Sequence, residues 1–408
     1  MALIEKQKIE YIDGDQSKGI KYNWKLIRKW FRKLGIPKGL YNPLRVDPER
    51  TGYDWALSDR SRGKTTQCIL LAMVMHEGYD TIGQYIRNTR DMITPKNMRD
   101  LFDVILEYHY IEKITDNRWN SCYYWGGRWY YCQRDENGDI IEKAPGHFLF
   151  CTCLDDSDKI KSAYSCPRGD IIIFDEFIML GGYGYNDFIR FTDIESTIYR
   201  KRVCGITYML SNTIDINSPW IDEFCIRPEI EMMQQGESRY IKTEEGTHIF
   251  CEFLTPDETE QRKVFNLRFF GFPNPKLAAI TGKGTWATEH YPHIKARKDE
   301  DTETEILYNR LFLYHNGKYC KLQIVSCDIG LAVYVFPATK TYNDSIILTS
   351  GEITDRRHIY GFGARGSGIE TVWRLYRANR FYYATNADGA LVRAYIKSIK
   401  DRERVRML

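Results

Sequence analysis

The sequence predicts an α/β fold built on a mainly parallel sheet, and three observations point to it. Strand and helix patterns alternate from Tyr53 onward, the order that crossover-connected parallel strands impose. Residues 171–174 are a short run without a polar side chain, as expected of a strand covered on both faces. Gly63-Lys64-Thr65 stands between a predicted strand and a predicted helix, the setting of a phosphate-binding loop.

The elements follow in chain order. Residues 22–34 read as a short amphipathic helix, with Trp24, Ile27, Trp30, Phe31 and Leu34 at helical spacing and Lys25, Arg28, Lys29, Arg32 and Lys33 between them. Either its apolar stripe docks on its own domain, or the helix meets nucleic acid or a partner; both readings stand at this point. Gly35, Pro37 and Gly39 then break the chain. Residues 53–57 read as a strand, 64–76 as a helix and 82–87 as a strand, with a helical stretch around 97–108. Gly126-Gly127, between 123–125 and 128–131, marks a hairpin. A helix over 187–199 and a strand at 205–210 follow the apolar strand.

After Thr255 the character changes. Residues 256–269 read as helix, Phe272-Pro273-Asn274-Pro275 and Thr281-Gly282-Lys283-Gly284 as loop, and the charged segment 295–305 as a boundary. Strands at 311–314, 321–327, 331–336 and 381–385 follow, with a turn at Asn386-Ala387-Asp388-Gly389 and a basic helix over 391–400.

A chain of 408 residues divides into two or three domains. With 43% hydrophobic and 28% charged residues, its composition is that of a soluble globular protein. No apolar run approaches the ~20 residues of a membrane span, and Glu5, Lys6, Lys8 and Glu10 rule out a signal peptide at the start. The expectation is a cytosolic protein with no membrane partner. The eleven cysteines include no CxxC pair and read as reduced, mostly buried thiols. A zinc site at His290 and His293 with distant cysteines is the alternative. Residues 1–50 carry 12 Lys/Arg against 6 Asp/Glu, and residues 356–408 carry 12 against 4, so basic ends flank an acidic body. Such ends suit a polyanion, although solvated surface charge gives the same pattern.

The run Ser58-Asp59-Arg60-Ser61-Arg62-Gly63-Lys64-Thr65 carries the first chemical signal. In a loop of this kind backbone N–H groups wrap phosphates, and the following helix adds its N-terminal dipole. Lys64 then reaches the β and γ phosphates and the Thr65 hydroxyl binds Mg²⁺, with Thr66 beside it. Ser58 stands where the motif usually has its first glycine. Gly282-Lys283-Gly284-Thr285 is a similar fragment with no strand before it, and reads as loop.

The second signal is the apolar strand ending in Asp175-Glu176. It delivers Asp175 to the Mg²⁺ shell and Glu176 to a water facing the γ-phosphate, where a carboxylate orients that water for in-line attack. The pair argues for hydrolysis over transfer to a small acceptor. The third is Thr197-Ile198-Tyr199-Arg200-Lys201-Arg202, running into a strand that ends Ser211-Asn212. An arginine set against a neighbouring subunit's γ-phosphate neutralises transition-state charge, worth on the order of 10³–10⁵ in rate. Asn212 is placed to sense that phosphate. A surface ion pair is the alternative reading of any single arginine here.

Tyr41-Asn42-Pro43, the variant P-loop, Lys161-Ser162-Ala163-Tyr164, Phe174-Asp175-Glu176-Phe177 and the segment from Arg200 to Asn212 occur in that order. In this set the chain resembles the DNA-packaging ATPases of small podoviruses with protein-primed genomes, relatives of the large-terminase motors. The resemblance implies an additional-strand P-loop ATPase domain at 41–253, a small helical linker at 254–296, and an α+β, RNase H-like nucleic-acid-binding domain at 297–408 that has lost nuclease catalysis. A basic extension at 1–40 precedes them. ATP and Mg²⁺ are the implied cofactors, with Ser58, Asp59, Arg60, Ser61, Arg62, Gly63, Lys64, Thr65, Thr66, Arg87 and Asn212 around the nucleotide. Thr65 and Asp175 would hold the metal and Glu176 the water, while Arg200 acts in trans and Lys161 is a second trans-acting basic position. The implied work is pumping double-stranded DNA into a capsid. It would be done by a homo-oligomeric ring, typically a pentamer, docked on the procapsid portal in the host cytoplasm and, in the best-known relatives, on a structural RNA. Ser58 departs from the family pattern, and the resemblance supplies no role for the first forty residues.

Three other readings stay open. An active nuclease in the C-terminal part needs clustered carboxylates around paired metals, whereas Asp328, Glu352, Asp355 and Asp388 are scattered. A small-molecule kinase is opposed by Asp175-Glu176 and the basic ends. A C-terminal half that only docks protein is compatible with a motor.

Overall fold

A computed structural model describes residues 3–255 and 304–406, apart from 60, 164–167, 180–183, 185, 214–215, 217, 328–329, 352–355, 362–368 and 379, together with Arg268 and Ile294. The chain folds as two compact units, Met1–Thr288 and Glu289–Leu408.

The first unit begins with helix α1 (Trp24–Lys33), capped by the Asn23 side chain, which accepts from the Leu26 N–H at 3.1 Å. Nine strands then form one sheet: β1 (Tyr53–Ser58), β2 (Gly83–Arg87), β3 (Ser121–Trp125), β4 (Arg128–Arg134), β5 (Ile140–Cys153), β6 (Ile171–Asp175), β7 (Ile206–Asn212), β8 (Ser238–Lys242) and β9 (His248–Phe253). Their order is β3-β4-β5-β2-β6-β7-β1-β9-β8. Pairing is parallel from β5 through β9 and antiparallel at the two flanks. The parallel strands read as unbroken burial because helices cover both faces. Helix α2 (Lys64–Tyr79) lies in one core with Tyr85, Phe148 and Tyr208. Helices α3 (Ser157–Ala163) and α4 (Asp187–Tyr199) follow β5 and β6, and Phe191, Ile194 and Ile198 of α4 join the core of the opposite face.

The structure redraws several sequence expectations. The 97–108 stretch is not one helix but short pieces, among them Pro95–Met98, Arg99–Phe102 and Asp103–Glu107. The Gly126-Gly127 hairpin is present, with φ of 58° and 78° that a two-residue turn requires and glycine accepts freely. The apolar stripe of α1 docks on its own unit: Trp24, Ile27, Trp30 and Phe31 share a core with Ile69, Leu70 and Met73 of α2. Gly78 makes the seat, since a Cβ there would stand 2.7 Å from the Trp30 ring. Further tethers are the Gln7 N–H to the Gly78 carbonyl (2.8 Å), the Val203 N–H to the Lys18 carbonyl (3.0 Å), and Tyr22 to Asp170. The first forty residues are thus built into this core.

The second unit holds β10 (Glu305–His315), β11 (Lys318–Cys327), β12 (Gly330–Ala338), β13 (Ile346–Thr349), β14 (His358–Tyr360) and β15 (Phe381–Tyr383) in the order β14-β13-β10-β11-β12-β15. The first three form an antiparallel meander; β13, β14 and β15 join in parallel. Helices α5 (Ile369–Arg377) and α6 (Asn386–Arg406) supply Val372, Trp373, Val392 and Tyr395 to one core with Leu313, Leu322 and Val335. The expected turn at 386–389 is instead the first turn of α6. Asp388 accepts from the Thr385 N–H and hydroxyl, the reciprocal cap that starts a helix.

The expected linker at 254–296 and the helix at 256–269 lie outside the described residues except for Leu254, Thr255, Arg268 and Ile294. So do the 272–275 and 281–285 loops, His290, His293, Asp328, Glu352 and Asp355. Among the described residues every cysteine is a free thiol, no three metal-ligating side chains gather, and no helix is long and apolar enough to cross a membrane.

Candidate functional site

Strand order and register assemble one site at the carboxyl edge of the parallel sheet. Ser58, the last residue of β1, pairs with Asn212, the last of β7, while Asp175 ends β6 one strand further on. β2 lies beyond β6, so Arg87 at its end reaches the same edge. A cleft of about 410 Å³ opens there, lined by Gly63, Lys64, Thr65, Thr66, Asp175, Glu176, Ser211 and Asn212, with Ser61 and Arg62.

The loop from β1 to α2 turns through two left-handed residues, Ser61 (φ 68°) and Gly63 (φ 70°). Ser58 keeps ordinary strand geometry, so no glycine is required at the position where the family motif has one. Its hydroxyl donates to the Asp59 carbonyl at 2.6 Å and accepts from Lys64 Nζ at 2.5 Å. Ser58 and Asp59 are buried beneath the loop, whereas Arg60 lies outside the described residues. The Tyr41 N–H donates to the Arg62 carbonyl at 2.9 Å, and Leu40 packs on Gly63, so the chain after α1 braces the loop. Beside them a second cavity of about 560 Å³ is walled by Phe31, Leu40 and Tyr41, with Arg32, Lys38 and Gln67.

Lys64 is buried rather than displayed on an exposed loop. Its ammonium donates to Ser58, to the Asp59 carbonyl at 3.3 Å and to Asn212 Oδ1 at 3.2 Å. Burial pulls its pKa down to about 8, against the opposing pull of Asp175 and Asp59. A phosphate entering the cleft would give that ammonium the counter-charge it lacks.

The acids sit opposite. Asp175 Oδ1 accepts from the Thr65 hydroxyl at 2.9 Å; its Oδ2 accepts from Tyr85 at 2.8 Å and from Arg87 at 3.0 Å. Two hard oxygen donors, Thr65 and Asp175, in contact across the cleft fit Mg²⁺. Glu176 has a left-handed backbone (φ 54°), its carbonyl accepts from Asn88 Nδ2 at 2.7 Å, and its carboxylate pairs with Arg87 at 2.6 Å. Arg87 therefore clamps both acids. Burial alone would lower its pKa, but Tyr85, Asp175 and Glu176 outweigh burial and hold it above the ordinary value. Tyr85 and Asn88 were absent from the sequence reading. Tyr85 shares the Arg87 face of β2, an alternation that signals proximity only once β2 is known to adjoin β6.

Two expected residues lie away from the cleft. Arg200 caps the far end of α4, where the Tyr199 hydroxyl meets Thr207 at 2.9 Å and Gly205 packs on the Tyr199 ring. That is the amino edge of β7, roughly 17 Å from Asn212 at ~3.3 Å per residue. Its exposed side chain donates to the Thr197 carbonyl at 3.2 Å. Lys161 pairs with Asp193 of α4 at 3.2 Å.

No protein-family model and no curated protein matches the chain. Solved structures do. The bacteriophage Phi-29 viral genome packaging motor assembly aligns at TM-score 0.54 and 14% identity, over 89% of this chain and 100% of that one. The Phi-28 gp11 DNA packaging motor aligns at 0.51 and 15%, over 89% and 98%. The N-terminal domain of the DNA packaging ATPase from bacteriophage phi29 matches at 0.41 and 17%, over 54% and 98%. The expected likeness to phage packaging ATPases is thus present in the fold.

Proposed function

We propose that the chain hydrolyses ATP to drive double-stranded DNA into a preformed capsid. The observation that carries the reading is the convergence of Lys64, Thr65, Asp175, Glu176 and Asn212 on one cleft, from three adjacent strand ends. ATP would lie with its phosphates on the loop from Ser61 to Thr66 and its base in the adjoining cavity beside Tyr41. Mg²⁺ held by Thr65 and Asp175 would supply charge neutralisation between the phosphates. Lys64 binds the phosphates, Asn212 orients them, and Glu176 accepts the proton of the attacking water once Arg87 has set its carboxylate. A water-polarising carboxylate within the cleft favours hydrolysis over a small-molecule kinase.

The remote position of Arg200 supports action in trans: at the amino edge of the sheet it cannot serve its own nucleotide, but it can serve that of a neighbour in a homo-oligomeric ring, by analogy a pentamer. Lys161 would join it after leaving Asp193. The likeness to a packaging motor assembly supports docking at a procapsid portal in the host cytoplasm; a structural RNA is the further partner that the family resemblance implies. The division into an ATPase part at 41–253, into whose core residues 1–40 are built, a linker at 254–296 and a last part at 297–408 belongs to this proposal. So does a vestigial nuclease in the last part, which the antiparallel meander extended by parallel β13 and β14 supports. Asp388, spent on capping α6, is no candidate metal ligand there.

The test is a reconstituted packaging reaction with portal-bearing procapsids, read as DNA protected from added nuclease. ATP-dependent protection with the wild-type chain, lost with Lys64→Ala, is expected. Protection independent of ATP or of Lys64 would remove the reading.

A further inference from the structure

The outer face of α1 is left without a role by everything above. At 100° per residue, Lys25, Lys29, Arg32 and Lys33 fall within about 100° of its circumference, opposite the buried Ile27 and Phe31. All four are exposed, as is Lys21 shortly before the helix. The ten residues of α1 contain no acid. Among the described residues no ion pair engages Lys21, Lys25, Lys29 or Lys33; other exposed lysines of this unit, such as Lys96 and Lys242, are also without an ion pair but are scattered, whereas those of α1 share one face.

Solvation alone does not account for this pattern. Like charges four residues apart weaken a helix, as Lys25 with Lys29 and Lys29 with Lys33 must. Lys25 also opposes the dipole in the first turn, where an acid would stabilise. The cost is tolerated because the apolar stripe, seated on Gly78 and Tyr79, fixes the helix in place. Arg28 adds to the seat by donating to the Leu44 and Val46 carbonyls at 3.3 and 3.1 Å. The cations are therefore presented on a rigid support.

From this geometry we infer that the outer face of α1 binds the phosphate backbone of duplex DNA, independently of sequence. Lys25 to Lys33 spans about 12 Å along the helix, a length over which one DNA strand presents three or four phosphates at ~3.4 Å of axis each. The face offers point charges and no base reader. The aromatic residues of α1, which a structured RNA would use for stacking, are all buried. A duplex moving past a motor presents every sequence in turn, and only a backbone contact serves all of them. This inference rests on duplex DNA being the substrate.

The experiment compares the full-length chain with K25Q/K29Q/K33Q, by fluorescence anisotropy on two unrelated 30-base-pair duplexes and on a structured RNA of equal charge, between 50 and 200 mM salt. Three lost phosphate contacts should flatten the slope of log affinity against log salt by about 2.7. Wild-type affinity would then fall about 40-fold further than the variant's across that range. The change should be the same for both duplexes, with the DNA-free ATPase unchanged and the melting temperature raised slightly, since the like-charge pairs along α1 are gone. A control, K96Q/K113Q/K242Q, replaces exposed lysines elsewhere and should leave the slope in place. An unchanged slope in the α1 variant, an equal change in the control, or a loss confined to the RNA would overturn the inference. Failure of the wild-type chain to bind duplex DNA at all would instead overturn the function on which it rests.

Discussion

Replacing Lys64 by Met should stabilise the nucleotide-free protein while abolishing its response to ATP. The Lys64 ammonium is buried, and its pKa stands at about 8 instead of 10.5. At ~1.4 kcal/mol per unit, the folded state bears about 3 kcal/mol against the charged lysine. Met fills a similar volume without that charge. The lost hydrogen bonds return about 1 kcal/mol, because Ser58 keeps its bond to the Asp59 carbonyl and Asn212 faces the open cleft. The net gain is about 2 kcal/mol, a rise of roughly 4–8 °C in the melting midpoint. The sign follows from the depressed pKa. Below pH 8 the lysine is charged in both states and the penalty is complete. As pH rises from 8 to 10.5 only the unfolded lysine stays charged, and the penalty shrinks away. The variant's advantage should therefore be full at pH 7 and gone, or slightly reversed by the lost hydrogen bonds, at pH 10.5. Calorimetry with EDTA and without nucleotide reads both values. A variant less stable than wild type at pH 7, or an advantage independent of pH, would refute the reasoning. With ATP and Mg²⁺ the order should reverse, since only the wild-type chain gains from phosphate binding.

Other expectations concern separate parts of the same site. Glu176→Gln should retain nucleotide affinity and lose about 10²–10⁴ in turnover; normal turnover would place the water-polarising base elsewhere. Asp170→Ala strands the buried Arg202 guanidinium, which donates to Asp170 at 2.7 Å, and frees Tyr22. Urea unfolding should show a loss of about 3–5 kcal/mol, and a loss below 1 kcal/mol would mean that this network does not hold the N-terminal segment. Arg200→Ala and Lys64→Ala chains should each be nearly inactive alone yet recover part of the ATPase when mixed, because some interfaces in mixed rings keep both halves of the site. Absence of rescue in mixed rings verified by sedimentation would make Arg200 a residue of its own subunit.

Much of the cleft was legible because its parts are local. A strand, a short loop ending Gly63-Lys64-Thr65 and a helix form one contiguous signal, and the apolar strand ending Asp175-Glu176 forms another. Local patterning also marked α4, the hairpin at Gly126-Gly127 and the meander of the second unit. What escaped depends on distant partners. β5 went unmarked, since its first half holds Lys143, Pro145 and Gly146 and pairs only with β4, outside the parallel sheet. β8 and β9 are short, and their place beside β1 follows from packing alone. The clamp of Arg87 on both acids required knowing that β2 adjoins β6. The burial of Lys64 had no local sign, because a loop motif does not show how deeply its lysine is set. The first forty residues looked separable, yet Trp30 on Gly78 and Tyr22 on Asp170 are contacts between residues 48 and 148 positions apart, beyond any sequence window.

That the chain couples ATP hydrolysis to duplex DNA is tested most directly by steady-state phosphate release, with and without duplex DNA, from the full-length wild-type chain and from Lys64→Ala. Release stimulated by DNA in the wild-type chain, and near background with or without DNA in the variant, is the predicted result. Phosphate release that persists in Lys64→Ala, or that ignores DNA in the wild-type chain, would contradict it.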